Sequence, residues 1–321
     1  MNIDSNLTIC FAHPAYQMEA QFKKREAPYQ CFQAWSPDEV QDRIHEFDVM
    51  VCSGYWQDQW LEQAPRLKFV QSISAGINQY GIEKFQKAGI WLASAAGVNA
   101  NAVSEHAMAH ILSFSRLMHT GRDYQRQKHY RGMISTIDQR EDELGGKTIL
   151  IVGLGRIGKR LARLAKAFDM HVIGTKRQSD VQIEHVDQVY SPDRFKKIAP
   201  LADFVALTCP LTAETEGLVD SEVLELMKPS SYLINMARGA VVDEPALILA
   251  LQNGEIAGAG LDVFAEEPLP QASPLWEMDN VIITPHSAGE TQRYEDSVID
   301  ILLENLARLE RGESQLLNQV V

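Results

Sequence analysis

No stretch of this 321-residue chain stays apolar long enough to cross a bilayer. The first apolar run, Leu7–Ala12, is too short for the core of a secretion signal, so a cytoplasmic protein is expected. Cysteine is scarce: Cys10, Cys31, Cys52 and Cys209 lie far apart without a C-x-x-C, which argues against a disulfide framework, and Cys10, Cys52 and Cys209, within or at the end of strand-like runs, read as buried free thiols. No metal site is expected. A basic excess is also missing. With 30 Lys and Arg against 43 Asp and Glu, the net charge of −13 excludes a nucleic-acid partner, which needs a basic face, and disfavours an anionic membrane surface. Any site for an anionic ligand must therefore be built locally, from arginine and backbone N–H groups. Low-complexity segments and short repeats are absent too, leaving a chain long enough for two cored domains.

What is present is alternation. Strand-like runs at Leu7–Ala12, Phe47–Cys52, Leu67–Ile73 and Ile90–Ser94 are interleaved with helical segments, notably Pro37–Glu46 behind Ser36 and Gln57–Ala64. One long helix is predicted from Asn101 to about His119, on the apolar stripe Val103, Ala107, Ile111, Phe114 and Leu117. Residues 120–143 are polar with little pattern, a linker or an arm ordered against something else. A second series follows, with strands at Thr148–Val152, His171–Gly174, Asp187–Tyr190, Phe204–Cys209, Ser231–Asn235, Gly258–Val263 and Val281–Thr284. Helices are expected after Gly158 and at Pro192–Ile198, Ser221–Met227 and Glu244–Gln252, and an amphipathic helix over Gln292–Arg311 closes the chain. The pattern predicts an α/β protein of two doubly wound, Rossmann-like parallel sheets. Two long helices bracketing the second series suggest that it is inserted into the first, with a hinged cleft between them.

The most informative stretch joins the strand Thr148–Val152 to Gly153-Leu154-Gly155-Arg156-Ile157-Gly158 and then to a helical pattern. In this context G-x-G-x-x-G is a dinucleotide-binding turn. Gly153 allows the tight turn, Gly155 lets backbone approach a pyrophosphate, and Gly158 lets helix pack on strand. An acid that would accept from the ribose hydroxyls is expected some 20 residues on, at the end of the next strand. There the chain reads Thr175-Lys176-Arg177-Gln178-Ser179 instead, with Asp169 too early and Asp180 too late. Two cations and two hydroxyls in that place favour the 2′-phosphate of NADP, with NAD still possible; a solvated Lys176-Arg177 pair is the plainer alternative.

Three polar residues stand at the ends of late strands: Arg238, Glu267 and His286. Carboxyl ends of strands border the ligand crevice in open α/β sheets. A histidine there can protonate a keto oxygen as hydride arrives, a glutamate can orient its ring and favour the imidazolium, and an arginine can hold a carboxylate bidentately. Each alone has a duller reading as a solvated or loop residue. Tyr55 and Trp56, after the strand ending at Cys52, either wall a substrate pocket or pack under their own helix, and Trp276 either reaches the pocket or covers the sheet edge.

GGKTILIVGLGRIGKRLA (145–162), LTCPLTAETEGLVD (207–220), MKPSSYLINMARGAVVDEPAL (227–247), AGAGLDVFAEEPLP (257–270) and SPLWEMDNVIITPHSAG (273–289) together resemble the D-isomer-specific 2-hydroxyacid dehydrogenase family. SISAGIN (72–78) and VSEHAMAHIL (103–112) extend the resemblance forward. It implies a nicotinamide-dependent reduction of a 2-keto acid to a D-2-hydroxy acid, as in glyoxylate and hydroxypyruvate reductases, with catalytic Arg238, Glu267 and His286. By the same resemblance Asp262 contacts the nicotinamide carboxamide, Pro210 lines the cofactor cleft, and Arg156-Ile157 face the pyrophosphate. Backbone N–H groups of Ser74-Ala75-Gly76 bind the substrate carboxylate. Residues 1–100 and 289–321 are then the substrate domain and 101–288 the dinucleotide domain, and relatives pair as homodimers through the latter. Glu267 stands where formate dehydrogenases carry glutamine, which favours a keto or hydroxy acid. The alternatives are a non-enzymatic, dinucleotide-sensing corepressor-like protein and a dehydrogenase of another small anion.

Overall fold

The aliphatic and β-branched runs become parallel strands of two separate sheets. The computed structural model describes residues 7–321; the first six residues of the expected substrate domain lie outside the described part. The chain changes unit at two points. Described residues up to Asn99 join Thr291–Val321 in one unit, and Ala100–Glu290 form the other.

The first unit runs β1 (Thr8–Ala12), α1 (Met18–Lys23), β2 (Gln30–Ala34), α2 (Pro37–Asp42), β3 (Val49–Cys52), α3 (Trp60–Gln63), β4 (Phe69–Ser72), α4 (Ile82–Ala88) and β5 (Trp91–Ala93). The strands pair in parallel in the order β2-β1-β3-β4-β5. Every residue of β3 and β4 is buried, because helices cover both faces of the sheet; β3 therefore reads as a continuous apolar run, while β4 buries the polar Gln71 and Ser72 as well. One face packs on the last helix, Tyr294–Glu310, through Val298, Leu302 and Leu306 against Phe11 and Phe69. Buried Asn305 of that helix donates to Gln71 Oε1 at 2.9 Å, a satisfied polar pair that fixes the helix on β4. The opposite face packs Phe47, Trp60 and Phe85.

The second unit opens with α5 (Ala100–Ser115) and α6 (Met118–Arg126), then β6 (Thr148–Val152), α7 (Arg156–Ala167), β7 (His171–Thr175), β8 (Gln188–Tyr190), α8 (Phe195–Ile198) and β9 (Phe204–Leu207). It ends with α9 (Ser221–Leu226), β10 (Tyr232–Asn235), α10 (Glu244–Asn253), β11 (Gly258–Leu261) and β12 (Val281–Ile283). All seven strands pair in parallel, in the order β12-β11-β10-β9-β6-β7-β8. The direction of winding reverses between β6 and β9, the switch point where doubly wound sheets open their ligand crevice. Helix starts follow local chemistry: Ser36, Asp220 and Asp243 accept from the N–H groups of Glu39, Val223 and Ala246.

Several elements differ from expectation. β2 carries Gln30 and Gln33 at an edge, too polar to stand out as a strand, and with it the short α1 before it was not singled out. The helix expected to run to His119 stops at Ser115, because Leu117 takes a left-handed backbone (φ 49°). A separate helix then covers Met118–Arg126, part of the segment expected to lack pattern. The strands expected to reach Cys209 and Val263 end their pairing at Leu207 and Leu261, freeing the residues beyond for loops at the crevice.

Candidate active site

The glycine turn leaves β6 at Gly153, whose φ of 102° suits only glycine and whose missing Cβ would lie 2.8 Å from the Cys209 backbone. Thr208 Oγ1 donates to Gly153 O at 2.8 Å, and Gly153 and Leu154 N–H groups donate to Thr175 Oγ1 and O. The turn is thereby held to both neighbouring strands. Gly158 lies buried in the first turn of α7, while nothing stands within 4 Å of where a Cβ of Gly155 would be. That open backbone just before the helix, with exposed Arg156 and half-buried Ile157 beside it, fits a dinucleotide pyrophosphate.

Past β7, Lys176 is half-buried and Arg177 exposed. Thr175, by contrast, is buried with its hydroxyl on the Gly153 N–H, so it does not join the cations as expected; Ser179 is half-buried. Exposed Pro210 heads the loop after β9, and its carbonyl accepts from Thr215 Oγ1 at 2.7 Å. In the same loop the Thr212 hydroxyl, and more weakly the Arg177 guanidinium, hold the Glu214 carboxyl below its usual range.

Beyond β10, buried Asn235 fixes the turn that carries Arg238, accepting from Ala237 N–H at 3.0 Å and donating to Arg238 O at 3.1 Å. A Cβ on Gly239 would fall 1.9 Å from the Phe264 carbonyl, so this turn lies directly on the backbone beyond β11. Phe264 N–H donates to Glu267 Oε1 at 3.0 Å, and Glu267 Oε2 lies 2.7 Å from His286 Nδ1. The structure thus brings Arg238, Glu267 and His286 to one end of neighbouring strands. A carboxylate only accepts, so Nδ1 carries the ring proton and Nε2 is left for other partners. Exposed Arg238 spends one N–H on Ala237 O at 2.7 Å.

His286 has a left-handed backbone (φ 52°), unusual for a residue with a side chain. Asp262 holds it there. Its carbonyl accepts the His286 N–H at 2.9 Å, and its carboxylate, 2% exposed, accepts Thr284 Oγ1 at 2.7 Å, Ser287 N–H at 2.9 Å and Ala288 N–H at 3.1 Å. Asp262 therefore turns toward the 284–288 backbone. His106 of α5 completes the chain, with Nε2 2.9 Å from Thr284 Oγ1. Since the threonine proton goes to Asp262, His106 donates. One helical turn on, the His110 ring packs 4.9 Å from that of His106, and burial pushes its pKa down to about 4. Neither His106 nor Thr284 was assigned a role from sequence; the readable signal is the i, i+4 histidine pair on an otherwise apolar helix face.

In the first unit, the Ser74 N–H is taken by Ser72 Oγ at 3.1 Å, so it is not available to a carboxylate. The N–H groups of Ala75 and Gly76 carry no hydrogen bond among the described residues. Trp56 is buried against Trp60, Tyr80 and Phe85, and Tyr55 donates to Trp35 O at 2.9 Å; both pack locally. Half-exposed Trp276 donates to Pro270 O over its own loop. Among the described residues no three His, Cys, Asp or Glu side chains gather as a metal site, and no helix is long and apolar enough to cross a membrane.

Residues 108–288 match the family model of the D-isomer specific 2-hydroxyacid dehydrogenase NAD binding domain. The chain is 34% identical over 304 residues to a glyoxylate reductase of Pyrococcus furiosus, covering 93% of this chain and 87% of that one. A solved D-isomer specific 2-hydroxyacid dehydrogenase family protein from Aeromonas salmonicida superposes with a TM-score of 0.86 at 28% identity, over 98% of this chain and 99% of that one. Another such dehydrogenase, from Xanthobacter autotrophicus in complex with NADPH and MES, gives 0.82 at 25% identity, over 98% of each chain.

Proposed function

The chain belongs to the D-isomer-specific 2-hydroxyacid dehydrogenase family, and from that premise we propose that it reduces a small 2-keto acid to the D-2-hydroxy acid, using NADPH in preference to NADH. The unit Ala100–Glu290 binds the dinucleotide, at Gly153, Gly155, Arg156, Ile157 and Gly158, with Pro210 along its path. The other unit binds substrate. The protein works as a homodimer paired through the dinucleotide-binding unit.

The observation that carries the chemistry is the 2.7 Å contact of His286 Nδ1 with Glu267, on a turn seated beside Arg238. When bound, the reduced nicotinamide supplies the hydride. As the imidazolium, His286 gives its Nε2 proton to the keto oxygen while Nδ1–H stays on Glu267, and in the oxidative direction the neutral ring takes a proton back at Nε2. Glu267 fixes the ring so that Nε2, and not Nδ1, is the atom in play. Arg238 keeps four guanidinium N–H groups beyond the one on Ala237 O, enough for a bidentate grip on the substrate carboxylate. Within the other unit, the N–H groups of Ala75 and Gly76 are the groups suited to bind a carboxylate. Asp262 Oδ2, which receives a single 3.1 Å amide contact, retains a lone pair for the nicotinamide carboxamide.

Lys176 and Arg177, in the place of a ribose-binding acid, support the NADP preference, as does the NADPH carried by the Xanthobacter relative. The test is the initial rate on glyoxylate with each cofactor. Turnover at least about 10-fold more efficient with NADPH is expected, the worth of one charge-assisted phosphate contact. Preference for NADH would remove the 2′-phosphate reading and keep the reductase, whereas binding of either cofactor without turnover of any 2-keto acid would leave a dinucleotide sensor.

A further inference from the structure

A glutamate can hold the His286 ring still only where the glutamate is itself held. Glu267 Oε1 accepts the Phe264 N–H at 3.0 Å, a bond inside its own loop that sets the carboxylate and does not fasten the loop to its surroundings. Two other contacts do that. One is packing: Phe264 is buried, and Gly239 lies directly on its backbone with no room for a Cβ. The other is polar. Glu244, the first residue of α10, accepts the Ala265 N–H on Oε2 at 3.0 Å. Among the described residues no other hydrogen bond reaches residues 264–267 from outside the loop, the His286 contact apart.

The Glu244 carboxylate is not spent on capping its own helix. Asp243 does that, accepting the Ala246 N–H at 3.1 Å. The backbone that carries Glu244 is braced from its other side. Gly217 and Val219 N–H groups donate to Ala240 O and Val241 O at 2.8 and 3.1 Å, and the Asp243 N–H donates to Val219 O at 3.0 Å. Glu244 therefore stands at the end of a fixed segment that begins at the Arg238 turn, and it reaches across to the loop that bears Glu267.

We propose that Glu244 is a positioning residue for the proton transfer: by holding the Ala265 N–H it fixes the loop that presents Glu267 to His286. This rests on the reductase reading above. The plainer role for an acid in the first turn of a helix is to favour the helix dipole, and substitution separates the two. Glu244→Ala removes both the charge and the acceptor, whereas Glu244→Gln removes the charge and keeps an amide oxygen that accepts. With glyoxylate and the preferred cofactor, Glu244→Ala should lower kcat at least about 5-fold, while the cofactor KM stays put because the glycine turn is untouched. Glu244→Gln should keep kcat within about twofold of wild type. Hydrogen exchange of the 262–268 peptide should quicken in Glu244→Ala and not in Glu244→Gln. A dipole role would instead lower the melting temperature of both variants alike and leave kcat and exchange unmoved. Wild-type kcat in Glu244→Ala, or a loss in Glu244→Gln equal to that in Glu244→Ala, overturns the proposal alone. If the wild type reduces no 2-keto acid, the reductase reading falls and the proposal falls with it.

Discussion

At His286 the backbone and the chemistry are coupled. The residue sits at φ 52° because the Asp262 carbonyl takes its N–H and the Asp262 carboxylate ties down the two residues that follow. Asparagine tolerates that backbone far better than most side chains, so His286→Asn removes the proposed acid while sparing the turn. The expected result is a kcat lower by about 10³-fold, the usual worth of a general acid, with NADPH still quenching protein fluorescence at similar concentrations. A variant within tenfold of wild type would take the proton transfer away from this ring. Arg238, Glu267 and His286 could be singled out in the sequence as polar residues past the ends of recognisable strands, but Glu267 stands beside Glu266, and the family resemblance is what joined the three as one proposed set. Other residues of the site were not singled out. Thr284 and His106 meet across 178 residues of sequence; the His106–His110 pair marks the helix face as unusual, but nothing in either segment names the partner. Trp56 shows the opposite limit: a large aromatic at a strand end reads equally well as pocket wall or core, and only packing places it in the core.

The relation of α5 to the turn after β12 is a matter of elements. His106 donates to Thr284, Thr284 donates to Asp262, and Asp262 holds the turn, so the helix is fastened to the loop that presents His286. Thr284→Val keeps the shape and removes both bonds, leaving a buried carboxylate short of a donor and His106 without its acceptor. A loss of about 1–3 kcal/mol in unfolding free energy is expected, together with a lower kcat. His106→Leu should cost less, because it empties only the outer link. If the three groups act as one chain, the double variant loses clearly less than the sum of the singles in both urea unfolding and kcat. Strict additivity would show that the helix and the turn are independent. At this scale sequence reading succeeds where burial on both faces makes a strand uniformly apolar, as in β3, β6 and β9. It fails where an edge strand is polar, as in β2, and where a helix is broken by one residue in a left-handed conformation, as at Leu117.

Across the whole molecule, the stretch after α5 stands out as held by polar links, such as Arg131 to Glu141 and Arg140 to the Ile134 and Ser135 carbonyls, while its large apolar side chains stay bare. None of the residues of α6 is buried, and Met118, Tyr130, Met133 and Ile137 are largely or wholly exposed. Arg116, Met118, Tyr124, Arg131 and Ile134 line a cavity in the same region. Bare apolar side chains of this kind do not offset the entropy of holding a segment in place, and a second copy related by a twofold axis would cover them on both chains at once. The arm also gathers Arg116, Arg122 and Arg131 in a chain of net charge −13, so two copies meet there with less repulsion than on most of their surface. Light scattering should therefore give twice the 36.0 kDa chain mass at micromolar concentration. Tyr130→Asp combined with Met133→Asp places two unpaired carboxylates in the contact and should shift the protein to 36.0 kDa, with a melting temperature that no longer rises with protein concentration. A wild-type chain that stays monomeric at that concentration would refute the pairing. A dimer unmoved by the two aspartates would place the interface on another face and return the arm's order to contacts within its own chain.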